Sequence, residues 1–335
     1  MKGSVQLFEV QSGSLEANPL GDPSTRTTPV YLPPGYAQGD ARYPVVYFLH
    51  AYTGSGTGWL NAAPFSFNVP ERLDRLIAAG APPCIGIFVD GWTSLGGSQW
   101  MNSEGIGRYR DYVAKDIVYW ADKTFLTQPQ SASRAIVGRS SGGFGALSIA
   151  RFHTDIFGHV AVHSSDACFE YCYLRDLPKA ASPILKAGGV EPWFRDFQVR
   201  AAATKMKGDD HDVINILCMA AAYSPKKGEP LGLELPFELP SGKLRIDVWN
   251  RWLVHDPVRV IPKHLDIFKR LKSIYLDCGT RDEYGLRWGT RMMADAFREG
   301  GISCVHEEYD DGHGGTNYRF DSSLQWLLPR LHAPR

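Results

Sequence analysis

The sequence has no surplus of charge of either sign. It holds 36 lysine and arginine residues against 36 aspartate and glutamate residues, so its formal net charge is zero. Proteins that bind nucleic acid usually carry a basic surplus that displaces counterions from phosphate, and a nucleic-acid partner is therefore not expected. The same balance excludes an overall field that would steer a highly charged substrate to the protein.

Long hydrophobic runs are also missing. The run Val45-Val46-Tyr47-Phe48-Leu49 is typical of the longest ones, whereas a membrane-spanning helix needs about 18 apolar residues. The first residues, MKGSVQLFEVQSG, contain no continuous apolar stretch of the kind that a signal peptide requires. The sequence as written therefore predicts no membrane span and a cytoplasmic location, unless an export signal has been removed from it.

The six cysteines form no CxxC pair, so a zinc ribbon or a thioredoxin-type redox motif is not expected. Cys168 and Cys172 are four residues apart and could meet. Free, buried thiols in a reducing compartment are the simpler interpretation of all six.

Strand-like and helix-like segments alternate through the first half of the chain, which predicts an α/β fold with a mostly parallel central sheet and helices on both faces. Continuous apolar runs, such as the one that ends at His50, are typical of strands buried on both sides. Strands are predicted at 4–10, 27–32, 45–50, 84–89, 135–137, 159–163, 273–276 and 303–309. Helices are predicted at 71–79, 109–125, 142–152, 192–205, 212–222, 292–298 and 322–331.

The alternation stops between Asp166 and Pro262, where strand-like sequence is scarce and helix-like pieces predominate. Because sheet-like sequence resumes afterwards, we interpret 166–262 as a helical lid inserted into a single domain that spans 1–335. Such an insertion would lie over the carboxyl edge of the sheet, where ligands bind in folds of this class. Its aromatic residues would either line an acyl or alcohol pocket or pack the insertion onto the sheet: Phe169, Tyr171, Tyr173, Trp193, Phe194, Phe197 and Tyr223.

The segment 138–142, with the sequence Gly-Arg-Ser-Ser-Gly, matches the pattern G-x-S-x-G around Ser140. A strand is predicted before it and a helix after it, as in the sharp strand-to-helix turn that exposes a nucleophilic serine. The glycines matter because side chains at those two positions would clash with neighbouring backbone. The N-terminus of the following helix would favour negative charge that develops near Ser140.

A nucleophilic serine needs a histidine base and an acid that orients the histidine. If the chain order is serine, acid, histidine, the base lies near the C-terminus, and His313 in a glycine-rich loop after a strand is the preferred candidate. The alternatives are less suited, because His163 follows a core-like run, His306 is in a strand and His332 is in a Pro/Arg-rich tail. For the acid, Asp282 is preferred, with Asp277 as its main rival and Glu283 as a weaker one.

An oxyanion hole needs two convergent backbone N–H groups. The Ser141 N–H, directly after the nucleophile, is one candidate, and the Tyr52 N–H in the turn after an early strand is the other. A further strand-end loop holds Trp92, Gln99 and Trp100. We expect Trp92 to line the same cleft and Gln99 to make a polar contact with substrate.

The sequence resembles the esterase branch of the α/β-hydrolases, which includes esterase D and enterochelin-esterase-like proteins and is more remotely similar to the mycolyltransferases. The resemblance implies an α/β-hydrolase fold, a triad of Ser140, Asp282 and His313, and hydrolysis of carboxylic esters without a metal or other cofactor. The motifs that carry it are 18–23 (NPLGDP), 30–36 (VYLPPGY), 50–52 (HAY), 96–99 (GGSQ), 138–143 (GRSSGG), 277–282 (DCGTRD) and 311–313 (DGH).

Two positions depart from the family pattern. Ala51 stands where the oxyanion turn usually has glycine, which raises the question whether that turn needs a positive φ. Arg139 stands where the nucleophile motif commonly has histidine, and it could reach an acidic partner or support the turn.

Together these features predict a serine carboxylesterase that acts on small-molecule esters, by default with short acyl chains. An acyltransferase with the same acyl-enzyme, an amidase or peptidase, and a non-catalytic binding protein on a hydrolase scaffold remain as alternatives.

Overall fold

One eight-stranded sheet forms the centre of the computed structural model, which describes residues 1–331. Its strands are β1 (Ser4–Gln11), β2 (Thr25–Leu32), β3 (Val45–Leu49), β4 (Ile85–Val89), β7 (Arg134–Arg139), β8 (His159–His163), β9 (Ser273–Gly279) and β10 (Val305–Tyr309). A separate hairpin consists of β5 (Asn102–Ser103) and β6 (Gly107–Arg108). The large sheet has the order β1-β2-β4-β3-β7-β8-β9-β10. Within this sheet, β2 pairs antiparallel with both β1 and β4. All the other neighbouring strands are parallel to each other.

Helices cover both faces of this sheet and fill the connections. They are α1 (Val69–Ala78), α2 (Tyr109–Asp111), α3 (Val118–Thr124), α4 (Ser141–Phe152), α5 (Phe169–Cys172), α6 (Leu177–Lys186), α7 (Val190–Ala203), α8 (Asp210–Tyr223), α9 (Ile246–Leu253), α10 (Pro257–Lys263), α11 (Leu265–Phe268), α12 (Leu286–Glu299) and α13 (Arg319–Leu331). Short 3₁₀ turns lie at Gly13–Leu15, Tyr36–Gln38, Thr57–Leu60, Ser131–Ser133, Leu174–Asp176, Pro230–Gly232 and Thr316–Tyr318.

The parallel strands are buried on both faces, as their continuous apolar sequences predict. Along β3, Val46 and Phe48 face a core cluster that includes α1 and α13, while Val45, Tyr47 and Leu49 face the larger cluster that includes α4. The predicted α/β architecture, with a mostly parallel sheet between two layers of helices, is confirmed.

The parallel arrangement determines where chemistry is possible. The carboxyl ends of β7, β8, β9 and β10 lie at one edge of the sheet. The residues that follow those ends are Ser140, the segment beginning at Ser164, the loop 280–285 and the loop 310–315. Side chains far apart in the sequence are therefore brought to the same edge.

Between β8 and β9 the described chain contributes no strand to the sheet. This segment consists of α5 to α11 with connecting loops, so the predicted helical insertion is present as secondary structure. The helices expected at 192–205 and 212–222 are α7 and α8. Helix α6 was not predicted from the sequence, because Pro178 and Pro183 obscure its helical pattern. Pro178 lies in the first turn, where the lost N–H has no intrahelical partner anyway.

Two other boundaries differ from the prediction. The helix expected at 109–125 has a π-helical middle, Tyr112–Ile117, between α2 and α3. Helix α12 begins at Leu286 and not at the expected Met292. The first part of the helix was missed because Gly289 weakens its helical pattern. This glycine allows the helix to approach the backbone at Ala167 closely. A Cβ on Gly289 would lie 2.5 Å from the Ala167 carbonyl oxygen. Tertiary packing, and not local propensity, therefore explains this glycine.

None of the helices within residues 1–331 is both long enough and apolar enough to span a membrane.

We expect the carboxylate that joins α12 to β10 to make the folding stability of the protein sensitive to acid. Glu308 on β10 accepts hydrogen bonds from Arg291 and Arg287 of α12. The bond from Arg291 is the main cause that lowers the pKa of Glu308 from 4.5 to about 2, with burial opposing it and Arg287 assisting it. Since the folded-state pKa is below the unfolded-state value, this stabilisation is complete above about pH 4.5 and is lost as pH falls towards 2.

The Glu308→Gln variant should therefore lose less stability than the wild type between pH 5 and pH 3. The expected difference is on the order of 1 kcal/mol, or about 2 °C in melting temperature. Thermal unfolding followed by circular dichroism across this pH range measures it. Parallel pH profiles for the two proteins would contradict the assignment.

Candidate active site

Ser140 occupies a strained turn between β7 and α4. Its backbone has φ 57° and ψ −126°, which L-residues rarely adopt, and α4 begins at the next residue. The Ser140 N–H donates to the His163 carbonyl oxygen at 2.9 Å, which ties the turn to the end of β8. The side chain is thereby held at the carboxyl edge of the sheet and stays partly exposed.

The two glycines of the motif are needed because backbone segments pass very close to them. A Cβ on Gly138 would lie 2.1 Å from the Gly142 carbonyl oxygen, and a Cβ on Gly142 would lie 2.2 Å from the Leu49 carbonyl oxygen. Neither distance is possible for a real side chain. The G-x-S-x-G pattern is thus a packing requirement of β3, β7 and α4.

The structure brings His313 and Asp282 to Ser140. The Ser140 Oγ lies 3.1 Å from the His313 Nε2, and the His313 Nδ1 lies 2.8 Å from the Asp282 Oδ2. The Asp282 Oδ1 accepts the N–H groups of Tyr284 and Leu286 at the start of α12, so this carboxylate is fixed in orientation. A histidine bonded in this way can accept a proton at Nε2 while the carboxylate holds its Nδ1–H.

The rival acids have other contacts. Asp277 is fully buried, lies 2.8 Å from the His163 Nδ1 and accepts from Arg319. Glu283 accepts the backbone N–H of His313 at 2.8 Å and so positions the loop but not the imidazole.

The rival histidines are likewise elsewhere. His163 belongs to a buried set in which its Nε2 lies 2.9 Å from the Ser323 Oγ. His306 lies within β10, and burial lowers its pKa. His332 lies outside the described residues.

The candidate oxyanion donors are the backbone N–H groups of Tyr52 and Ser141. Neither donates to a protein acceptor among residues 1–331. The turn before Tyr52 is held by His50, whose Nε2 accepts the Gly91 N–H while its Nδ1 lies 2.8 Å from the Ala51 carbonyl oxygen. Ala51 has no positive φ; Thr53 has one instead, at 59°. Alanine at position 51 is therefore compatible with this turn.

Ser140 and His313 line a cavity of about 140 Å³ whose walls are polar and apolar in about equal parts. Its lining residues are Ala51, Tyr52, Arg139, Ser140, Asp166, Cys172, Tyr173, His211, Asn215, Tyr284, Leu286 and His313.

Arg139 is the cation of this cavity. It forms no ion pair within residues 1–331, and its Nη1 lies 3.4 Å from the Thr316 Oγ1. Burial lowers the Arg139 pKa, while Tyr309 and Asp282 act in the opposite direction. Arg139 therefore has no close acidic partner and leaves positive charge beside Ser140.

Gln99 and Trp92 differ from the expectation that both face the cleft. Gln99 is only 1% exposed, and its Nε2 lies within hydrogen-bond distance of the Asp166 Oδ2 and of the Tyr173 and Tyr223 hydroxyls. It therefore holds the wall of the cavity from behind. Trp92 is 43% exposed and is not among the lining residues, and its carbonyl oxygen accepts a hydrogen bond from Arg26.

Several lining residues were not found from the sequence. Asp166 follows the end of β8, and burial raises its pKa, although hydrogen bonds from Gln99 and Tyr173 oppose that rise. His211 and Asn215 are four residues apart on α8, a spacing that places both on one face and could have been noticed. Tyr284 packs edge-on against the His313 ring, with centroids 4.8 Å apart.

The cysteines are free in the structure. Cys168 and Cys172 are both buried and are not bonded to each other. Burial is the main cause that raises the pKa of each thiol.

A family model described as "Putative esterase" matches residues 23–327. The chain belongs to this family. The match includes Ser140, Asp282 and His313, so the resemblance to the esterase branch is confirmed over most of the chain.

A curated relative of this esterase-family chain is an endo-1,4-beta-xylanase/feruloyl esterase from Xylanibacter ruminicola. The two are 27% identical over 162 residues, which is 45% of this chain and 21% of the relative. The chain thus spans about a fifth of that protein's length.

Solved structures show the same fold. A ferulic acid esterase is 18% identical with a TM-score of 0.60, and the match covers 99% of this chain and 98% of that one. A fluorophosphonate-binding serine hydrolase of Staphylococcus aureus is 13% identical with a TM-score of 0.61, and the match covers 99% of both chains. The predicted α/β-hydrolase fold is confirmed.

The strained backbone at Ser140 leads to a stability prediction. Because glycine adopts positive φ without penalty, Ser140→Gly should be more stable than Ser140→Ala by about 1 to 3 kcal/mol. Differential scanning calorimetry of both variants measures the difference. At Ser148, inside α4, the order should reverse, since glycine weakens a helix by about 1 kcal/mol relative to alanine. The same order at both positions would argue against strain at Ser140.

Proposed function

We propose that the protein is a serine carboxylesterase with Ser140 as nucleophile, His313 as general base and Asp282 as the orienting acid. The observation that carries this proposal is the continuous line of hydrogen bonds from the Ser140 Oγ through the imidazole to the Asp282 carboxylate. This line opens into a cavity that a small molecule can enter. The family match supports ester hydrolysis as the chemistry.

In the proposed reaction, the Ser140 Oγ attacks the ester carbonyl carbon while the His313 Nε2 takes the hydroxyl proton. The tetrahedral intermediate collapses when the bond to the alkoxy group breaks, and His313 returns the proton to the leaving alcohol. A water molecule then attacks the acyl-enzyme, with the same histidine as base, and releases a carboxylic acid and free Ser140. Asp282 stabilises the imidazolium that forms in each half of the reaction.

The negative charge of both tetrahedral intermediates would be held by the backbone N–H groups of Tyr52 and Ser141. Neither donor has a protein acceptor among residues 1–331, and the Ser141 N–H lies at the N-terminus of α4, where the helix dipole favours an anion. The hydrogen bonds of His50 hold the Tyr52 turn in place before substrate arrives.

The insertion 166–262 acts in this proposal as a lid within a single domain 1–335. Five lining residues of the cavity come from it: Asp166, Cys172, Tyr173, His211 and Asn215. Of the aromatic residues in the insertion, Tyr173 lines the cavity, whereas Phe169 and Tyr223 pack behind it and Trp193 stacks on Phe197. Most of these aromatic residues therefore pack the lid and do not line the cavity.

The proposed triad can be tested by mutation against a second, buried set of Ser, His and Asp side chains. Ser323, His163 and Asp277 repeat the Ser-His-Asp contacts of the site, but the exposures of these residues are 0%, 1% and 0%. Ser140→Ala should lower p-nitrophenyl acetate hydrolysis by at least about 10⁴-fold, and Asp282→Asn by about 10³- to 10⁴-fold.

The buried set supplies the controls. Ser323→Ala should keep activity near that of the wild type, whereas Asp277→Asn should lower the melting temperature more than Asp282→Asn does, because it leaves Arg319 and His163 without their buried partner. A fluorophosphonate probe should label the wild type and Ser323→Ala but not Ser140→Ala. Labelling and hydrolysis that survive Ser140→Ala would refute the esterase assignment and favour a binding protein.

The small size of the cavity predicts a preference for short acyl chains. Within the p-nitrophenyl ester series, kcat/KM should fall by about tenfold or more from acetate or butyrate to octanoate, because a longer chain does not fit about 140 Å³ without movement of the lid. Methyl ferulate should be tested beside them, since the Xylanibacter ruminicola relative is named a feruloyl esterase. Equal or rising rates with longer chains would contradict the preference.

The same assays separate hydrolysis from acyl transfer. With an added acceptor alcohol, an esterase releases mainly free acid, and an acyltransferase releases mainly the new ester.

A further inference from the structure

A second cavity, of about 210 Å³, is lined in part by α4, the helix that follows Ser140. It shares no lining residue with the cavity of Ser140. Its walls are formed by Met101, Asn102, Arg110, Phe144, Leu147, Ser148, Arg151, Phe152, Val254, His255, Pro257, Val260 and Phe268.

Two arginines face this cavity without acidic partners. Neither Arg110 nor Arg151 forms an ion pair in the part of the chain that the structure describes. Both guanidinium groups lie over the Phe152 ring, with their central carbons 3.8 Å and 4.1 Å from its centroid. The Arg151 Nε is buried and has no hydrogen-bond partner. Both cations are thus held against the same aromatic ring, and one of them carries a buried N–H that has no acceptor.

No carboxylate lines the cavity to neutralise them. Asp111, the acidic residue next to Arg110 in the sequence, forms ion pairs with Arg108 and Lys115. Burial lowers the pKa of Arg110, with Asp111 opposing it, and burial followed by Arg110 lowers the pKa of Arg151. His255 in the cavity wall adds a base, whose pKa is lowered to about 4 by burial and then by Arg151.

The remaining walls are mostly apolar. Phe144, Leu147, Val260 and Phe268 face the space beside the arginines, with Asn102 and Ser148 as the uncharged polar groups. Inorganic phosphate would satisfy the cations but leave the apolar walls empty. An organic acid with an apolar body matches both parts, because guanidinium groups bind carboxylate through paired hydrogen bonds.

We propose that this cavity binds a small organic carboxylate, with Arg110 and Arg151 holding the carboxylate and the apolar walls holding its hydrocarbon body. The cavity is separate from Ser140, so the proposal does not depend on the esterase assignment. Retention of two unneutralised cations costs stability in the empty protein, which is typical of groups kept for binding.

Sodium benzoate is the probe, and isothermal titration calorimetry with the full chain is the measurement. We expect the wild type to bind benzoate saturably with 1:1 stoichiometry. Arg110 and Arg151 lie on different helices, and the Arg151→Met and Arg110→Met variants should each bind benzoate at least about tenfold more weakly than the wild type. Benzamide, which has the same shape without the charge, should bind at least about tenfold more weakly than benzoate. Benzoate should also raise the melting temperature of the wild type but not of Arg151→Met, whose melting temperature without ligand should be equal to or above that of the wild type.

Arg139→Met is the matched control because it removes the cation of the other cavity. Benzoate affinity that is unchanged in Arg139→Met supports the proposal. Affinity that falls in Arg139→Met but not in Arg151→Met would assign the carboxylate to the Ser140 cavity and would overturn the proposal. Absence of saturable binding overturns it as well. Tighter binding of inorganic phosphate than of benzoate in the wild type would refute the carboxylate as the ligand.

Discussion

The close approach of three backbone segments around the turn from β7 to α4 is the constraint on which the site depends. Gly142 touches the end of β3, and Gly138 touches Gly142, so no side chain fits at either position. This contact forces Ser140 into its strained conformation and places the start of α4 directly behind it. The serine, the helix N-terminus and the Tyr52 turn are consequently presented together at one edge of the sheet, to which β9 and β10 deliver Asp282 and His313.

Burial, and not residue type, distinguishes the two Ser-His-Asp sets of this protein. His163 contacts Asp277 and Ser323 at distances similar to those in the proposed triad. That set lies between the sheet and α13, where it ties α13 to the core and no substrate can reach it. The proposed triad lies on loops beyond the strand ends, where the serine meets a cavity. A catalytic arrangement therefore requires access as well as geometry.

The zero net charge conceals local imbalance. The Glu308 carboxylate accepts hydrogen bonds from the arginines of α12, which neutralise its charge. By contrast, there is no ion-pair partner in the described chain for Arg139, Arg110 or Arg151. These three cations are divided between the two cavities. Overall charge thus excludes long-range steering, but it does not describe the field that a ligand meets at close range, which depends on single unpaired side chains.

The sequence by itself determined the α/β architecture and the nucleophile turn, and it singled out Ser140 and His313 as candidates, because period, glycine spacing and chain order are local or linear properties. It could not decide between Asp282 and its rivals on physical grounds, since Asp277, Asp282 and Glu283 are close neighbours whose partners come from other parts of the chain. Gln99 and Trp92 show the same limit: one is buried behind Asp166 and the other is turned to the surface. The positions of Asp166, His211 and Asn215 at the cavity, and those of Arg110 and Arg151 over the Phe152 ring, were decided only by the tertiary structure. Each depends on how segments that are distant in the sequence pack together. The spacing of His211 and Asn215 places both on one helix face, but it does not say which part of the chain that face meets.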